Sequence, residues 1–461
     1  MKRILSKMWM AGLAAIMMGV SSCALPWIDP AVNVSPNSPP DAPINVVLLP
    51  SQIRLGYIVG GDVSRYNSLF TQHHRGVDRQ HTGIWQFTLT ESDVNTAWNG
   101  LYEGVMNDLA RMIEKANAQN LPAYRGIARV QLAYSLAMAS DMWNNIPYDQ
   151  AFQGYPNSSP RYQSGEQIYA TAQALLDSAI IDLNNANPGG LVPGANQDAI
   201  YRGVRANWVR AAWSLKARLH LHTTKVNRTQ AAQNALAAIM GNRGINANTV
   251  DCQVPFGTAP TEGNPWFQFM AQRNDIRLGP QLTSMLNTLS DPRRPFYSQG
   301  QTMLTDGVST LGPLYASSAS PVPLITFAET KFIEAEAQLI LGNNAAAKTA
   351  FTDAIRASLQ RAGVSDANAT TYLAQTSVVP AGDISLQNII DQKYLALYSQ
   401  FETYNDWRRT GFPVLNPTNV LPMATLQNIP RRWPYPQDER LFNSSFPGQV
   451  QLSDRVWWDR P

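Results

Sequence analysis

Between residues 93 and 117 the apolar side chains fall on one side of a helix, with Trp98, Leu101, Tyr102, Val105, Leu109, Met112 and Ile113 recurring at three- and four-residue steps. The same period returns after Pro122 with Ile127, Val130, Leu132, Leu136 and Met138. A proline suits a first helical turn, where its missing N–H has no intrahelical partner to lose. Ser164 or Gly165, with Glu166 and Gln167, opens a third helix, EQIYATAQALLDSAIIDLNNA. Residues 207–225 and 228–240 predict a helical hairpin, 324–363 a second one, and the segment LQNIIDQKYLALYSQFETYNDWRRTG a last long helix. Alanines at the helix contacts allow close approach, and the late pairs run near the tetratricopeptide length of about 34 residues. Plain amphipathic helices share this signature. The pattern predicts a mainly α fold of four irregular tetratricopeptide-like helix pairs, at about 93–141, 165–240, 324–363 and 384–410, in one domain over 44–461.

Between the pairs the period disappears. Residues 241–323 are rich in Gly, Pro and Asn and carry PFGTAPTEGNPWFQF and DPRRPFYSQG as aromatic islands. Residues 364–383 form a shorter insertion, and the tail 412–461 is largely nonhelical. Loops held on a rigid helical frame are where binding faces are usually built.

The N-terminus has a different character. Lys2, Arg3 and Lys7 precede an apolar run from Met8 to Val20, which at about thirteen residues is too short for a comfortable membrane span. It suits the core of an export signal over 1–22. Val20-Ser21-Ser22-Cys23 fits the bacterial lipobox, in which cleavage before the cysteine exposes a thiol that takes diacylglycerol. A further acyl chain on the new amino group adds to an anchor that one chain alone holds only marginally. An ordinary cleaved signal next to a chance cysteine is the competing reading. Ala24, not Asp, follows Cys23, so the inner-membrane retention signal of some bacteria is missing, and residues 23–43 read as a flexible Pro/Asn/Ser tether.

Without residues 1–22 the formal charge falls from +3 to zero, which removes the basis for a nucleic-acid partner. With Cys23 acylated, Cys252 has no intrachain partner, so disulfides do not hold the fold. Twelve Trp and seventeen Tyr supply rings either for ligand stacking or for helix packing.

Several stretches then point one way. DMWNNIPYDQAF (141–152), FAETKFIEAEAQL (327–339), YLALYSQFETYNDWRRTGFPVL (394–415), IPRRWPYPQDERLFN (429–443) and VWWD (456–459) follow one another in order. Together with the lipobox they resemble the SusD/RagB family of Bacteroidetes outer-membrane lipoproteins, over nearly the whole mature chain. The resemblance implies a SusD-like α-α superhelix with a loop-rich binding region. It also implies a surface-exposed, lipid-anchored outer-membrane protein that captures oligosaccharides, or in some branches peptides, without chemistry on them. Such proteins sit as a lid on a TonB-dependent SusC-like barrel. Some relatives bind calcium, but no Asp-rich loop here has ligand spacing, so no cofactor is expected.

Candidate ligand contacts come from the loops: Tyr66, His74, Arg75 and Trp85 in 65–87, Trp266, Phe267 and Tyr297 in the large insertion, and Tyr315 beyond the aromatic islands. Flat rings stack on the apolar faces of sugars while amides and guanidinium groups pair with hydroxyls. His73, His74 and His81 lack a neighbouring fourth ligand at metal spacing. Asp406, Trp407, Arg408 and Arg409, with Arg431, Arg432 and Trp433, read as structural: the arginines close a helix before Gly411, and the prolines fix the backbone around packed rings. No G-x-S-x-G, H-E-x-x-H or G-x-G-x-x-G is present, and Glu334 and Glu336, two apart on a helix, face different ways. A scaffold or adhesive lipoprotein that binds other proteins is the alternative to uptake; a glycoside hydrolase is a remote one.

Overall fold

The computed structural model describes residues 42–154, 157–185, 190–417 and 428–461; the signal segment, Cys23 and the tether as far as residue 41 lie outside them. Helix α1 (Leu48–Ile58) runs through a π-helical turn at Val59–Val63 into α2 (Ser64–Phe70). The sequence reading assigns no helix before residue 93, because Pro50, Gly56, Gly60 and Gly61 are poor helix formers that mask the signal. The helix expected over 93–117 is present as Asn95–Leu101, a second π-helical turn at Tyr102–Met106, and α3 (Asn107–Ala118).

Helix α4 (Pro122–Trp143) starts at the expected proline and buries every residue except Arg125 and Arg129. A helix apolar on all sides has to be surrounded, and α4 lies between α3 and α5 (Gly165–Asn184). Its two arginines, one turn apart, both close on Asp182 of α5, with Arg125 Nη2 2.6 Å from Oδ1. Ser164 and Gln167 form the capping box of α5, each side chain meeting the other's backbone N–H. Helix α6 (Arg205–His222) packs on α5, and α7 (Arg228–Ile239) packs back on α6.

After α7 the chain leaves the stack for the insertion, which contains α8 (Pro265–Gln272), and returns as α9 (Phe327–Ile340) and α10 (Asn344–Ala362). Helix α9 lies directly on α7, so the stack continues across the insertion. Ala217, Ala232, Ala235 and Ala337 form much of that junction, with Leu221, Ile239 and Ile333 filling it. The architecture is therefore mainly helical, irregular tetratricopeptide-like pairs carrying long insertions.

One expected element is corrected. The last long helix is two, α11 (Leu386–Ala396) and α12 (Glu402–Thr410). The chain turns between them at Ser399, whose φ is +59°. Tertiary contacts explain the break: the Ser399 carbonyl accepts from the Ser64 hydroxyl, and its own hydroxyl lies 2.8 Å from His74 Nε2.

The insertion is stitched back by two short pairings. Strand β1 (His74–Gly76) pairs antiparallel with β3 (Ile276–Leu278), and β2 (Cys252–Val254) with β4 (Val322–Ile325). Cys252 is a free, buried cysteine, its thiol pushed up to about 12 by burial. Residues 44–461 form one compact unit.

Candidate functional site

A surface groove that draws on both 65–87 and the insertion lies along α1. Gly56 and Gly60 lie one helical turn apart, and a Cβ on them would stand 2.7 Å from Val254 Cγ1 and 2.6 Å from Val322 Cγ2 respectively. Only glycine lets β2 and β4 come this close to the helix backbone. Gly61, at φ −89° and ψ −125°, then breaks the helical path, and Asp62 and Arg65 follow on the groove side.

Helix α8 forms the facing wall. It starts at Asn264, whose buried side chain accepts from the N–H groups of Trp266 (2.7 Å) and Phe267 (3.3 Å) and donates to the Ser320 carbonyl (2.7 Å). That cap fixes the helix so that Gln268, Phe269 and Gln272 line the groove, with Arg273 beyond them. The end wall is the helix Arg79–Trp85, capped by Asp78, which contributes Gln80 and His81. Buried Asp275 ties the corner together, accepting from Arg79, from Arg273 Nε at 3.2 Å and facing His81 Nδ1 at 3.3 Å.

The groove has two lobes. One, about 310 Å³, lies between α1, α8 and the Arg79–Trp85 helix; the other, about 320 Å³, lies between α1 and the helix Asn95–Leu101 and includes Arg54, Ile58, Thr96 and Gly100. Tyr57, Gly61, Asp62 and Arg65 border both. Arg65 Nη2 holds Asp62 Oδ1 at 2.6 Å while its guanidinium sits 4.7 Å over the Phe269 ring. The Tyr57 hydroxyl donates to the Gly263 carbonyl (3.0 Å), and its ring meets Phe256 edge-on at 5.2 Å. Burial, reinforced by the Arg65 charge, holds His81 down to about 4 against the pull of Asp275, so the imidazole is neutral near pH 7.

These groups can bind and orient a polar ligand through ring faces, amides and guanidinium donors. Glycosidic cleavage needs two carboxylates set on either side of the bond. Among the described lining residues Asp62 is the only carboxylate, and Arg65 already engages it.

Most of the candidates named from the sequence are not presented at the surface. Tyr66, His74, Trp85, Trp266, Tyr297 and Tyr315 are all buried. The Trp266 indole donates to the Ser64 hydroxyl (3.0 Å), the Tyr297 hydroxyl to the Leu395 carbonyl (2.8 Å), and Tyr315 receives Arg361 at 3.2 Å. Tyr66 packs 5.6 Å from Trp433, and Arg75 covers Trp85 at 4.7 Å while pairing with Asp306 at 2.7 Å. The insertion, folded onto the helices through β1–β3 and β2–β4, carries Trp266, Tyr297 and Tyr315 inward, while Tyr66 packs on Trp433 of the tail. Phe267 is exposed, yet neither it nor Arg75 lines the groove. The sequence reading missed Arg54, Tyr57, Asp62, Arg65, Gln268 and Arg273; the available signals were the Gly60-Gly61 interruption flanked by charged residues and the Asn264-Pro265 helix start.

The DWRR and IPRRW segments lie in the interior. Arg409 grips Glu336 and Asp406, and Lys393 adds a second contact to Asp406 at 2.8 Å. Arg408 donates to the carbonyls of Asp141 (2.7 Å) and Arg431 (2.9 Å), with its guanidinium 4.2 Å over Tyr404. Arg431 pairs with Asp459 and covers Trp407 at 4.9 Å. Arg432 reaches the Trp143 carbonyl, and the Trp433 indole donates to Asn67 at 3.0 Å. Gly411, at φ +78°, ends α12 in the left-handed conformation.

Among the described residues no group of three or more His, Cys, Asp or Glu is placed to hold a metal ion, and no helix is long and apolar enough to cross a membrane.

Solved structures share this fold. A SusD/RagB family protein from Bacteroides thetaiotaomicron superposes with a TM-score of 0.75 at 21% identity, over 91% of this chain and 99% of its own. A chitin-binding SusD homologue from Flavobacterium johnsoniae gives 0.76 at 21% identity, over 90% and 98%. A SusD homologue from Bacteroides uniformis gives 0.74 at 22% identity, over 91% and 100%. Among curated proteins the sequence finds no match. The family described as starch-binding and associating with the outer membrane matches residues 46–436, and the chain therefore belongs to this SusD-like family.

Proposed function

We propose that the protein captures oligosaccharides in the groove along α1 and delivers them to a TonB-dependent SusC-like barrel, held at the outer face of the outer membrane by acyl chains on Cys23. The observation that carries this reading is the groove itself: Tyr57 offers a ring, and Gln80, Gln268, Gln272 and the arginines offer donors, on a frame of the SusD-like family. The chitin-binding homologue supports a sugar over a peptide as the ligand. Anchoring the binder beside a pore raises the local ligand concentration at its mouth, which improves capture without any new contact. No cofactor and no covalent step enter this account.

Two measurements test it. Calorimetric titration of the full-length protein with an oligosaccharide panel is expected to give saturable binding, weakened about tenfold in Tyr57→Ala through loss of a stacking ring. A mild-detergent pull-down from the native membranes is expected to bring down a large outer-membrane barrel in stoichiometric amount. Recovery of soluble or peripheral proteins instead, with no glycan bound, would leave the protein-scaffold reading in its place.

A further inference from the structure

We infer that the groove selects acidic oligosaccharides, sugars bearing carboxylate or sulfate groups, and that Arg54 and Arg273 read the charge from opposite lobes. This rests on the glycan-capture reading and narrows it.

The charge census of the groove is lopsided. Arg54, Arg65 and Arg273 line it against Asp62 alone. Arg65 and Asp62 neutralise each other at the ridge between the lobes. Behind Arg273, one carboxylate, Asp275, pairs with both Arg273 and Arg79, so Arg273 shares its counter-charge. His81, the third group facing Asp275, is held neutral and does not alter that count. The excess is local, because the chain after residue 22 has a formal charge of zero.

Arg54 is the more telling of the two. It is exposed, and among the described residues its side chain makes no hydrogen bond and no ion pair. Space is left for it by two glycines one turn apart on the facing segment. A Cβ on Gly104 would lie 3.0 Å from Arg54 Nε and one on Gly100 3.7 Å from it. The guanidinium therefore lies against bare backbone, its fork uncommitted. An arginine fork matches a carboxylate or sulfate in two parallel hydrogen bonds, whereas a neutral hydroxyl uses only one of them.

The placement also implies a ligand with repeated charges. Arg54 lines only the lobe beside Asn95–Leu101, and Arg273 only the lobe beside α8, with the Tyr57–Asp62–Arg65 ridge between them. A chain of acidic sugars crossing the ridge would meet a cation on each side and Tyr57 between. The glutamines at 80, 268 and 272 favour a hydroxyl-rich ligand over an acidic peptide.

The test is a titration of the full-length protein with short uronate and sulfated oligosaccharides, each beside its carboxyl-reduced or desulfated counterpart, and with an oligoglutamate peptide. The acidic member of at least one pair is expected to bind about tenfold or more tightly than its neutral partner, an advantage that shrinks as salt rises. The uronate and sulfate arms separate the two sources of charge. Arg54→Gln and Arg273→Gln should each cut the acidic preference about tenfold, and Arg54→Lys should restore part of it. Arg228→Gln, which removes the same charge outside the groove, should leave it intact. Neutral members bound as tightly as acidic ones overturn the inference while glycan capture stands. Binding of no sugar at all overturns capture and the inference with it. Oligoglutamate bound as tightly as any glycan assigns the groove to acidic peptides and overturns it too.

Discussion

Arg409 shows what a charge requires in order to be buried. Its guanidinium, almost wholly removed from solvent, meets Glu336 on α9 and Asp406 on its own helix. Removing it strands the buried Glu336 carboxylate and leaves Asp406 to Lys393 alone, and a broken buried pair typically costs about 3–5 kcal/mol. Arg409→Met is expected to lower stability by that order in chemical denaturation, with Glu336→Leu in the same chain recovering part of the loss; a change under about 1 kcal/mol would contradict the pairing. The histidines make a different claim. Burial pushes His73 down to about 3 and, as the largest cause, His81 down to about 4. In the unfolded chain each takes a proton near pH 6.5, and in the folded protein only well below that. The unfolded state therefore binds more protons in between, so their contribution is complete above about pH 6.5 and is lost as pH falls toward 3–4. His73→Gln keeps a donor for the Tyr394 carbonyl, which His73 Nε2 meets at 3.0 Å. Below pH 6.5 the variant should lose stability less steeply than the parent, by up to about 1.4 kcal/mol per pH unit. Identical slopes would refute the buried neutral imidazole. Asp251, raised to about 6 by burial, works in the opposite sense below that pH, so the informative quantity is the difference between the two proteins.

At the scale of elements, the long helices were legible because their apolar positions recur at helical steps, as Leu101, Val105, Leu109 and Met112 do leading into α3. The break between α11 and α12 was not, since Leu397, Tyr398 and Phe401 continue the apolar run and the turn at Ser399 is set by Ser64 and His74, far away in sequence. Helix α8, eight residues long, is too short for periodicity to show. Its start was nevertheless written locally: Asn264 followed by Pro265 is a cap followed by a first-turn proline. That cap matters for the site, because it sets the wall carrying Gln268 and Phe269. Asn264→Ala should cost about 1–2 kcal/mol and raise amide exchange through 265–272, with weaker glycan binding following from a frayed wall. Unchanged exchange in that helix would show that the wall is held by other contacts.

At the scale of the molecule, the groove draws on segments near residues 54–65, 80–81, 96–100 and 265–273. The sequence pointed to the insertion and to 65–87, read as loop but folded largely into α2 and the Arg79–Trp85 helix, and β1–β3 does join those two. It could not sort their rings into buried and exposed, because a Gly/Pro-rich stretch has no period, and the pairing of His74 with Leu278 spans the length of several helices. Hence the large rings became core, while the groove's working groups came from α1 and the turn after it, marked only by Gly60-Gly61, and from α8 and the Arg79–Trp85 helix. The helical stack provides the rigid frame, and the insertion, drawn onto α1 by Gly56 and Gly60, makes the binding face. The most direct test of this account is hydrogen–deuterium exchange of the full-length protein with and without the tightest-binding oligosaccharide. It predicts ligand-dependent protection concentrated in residues 54–65 and 265–273. Saturating ligand that protects another surface and leaves both segments unchanged would contradict it.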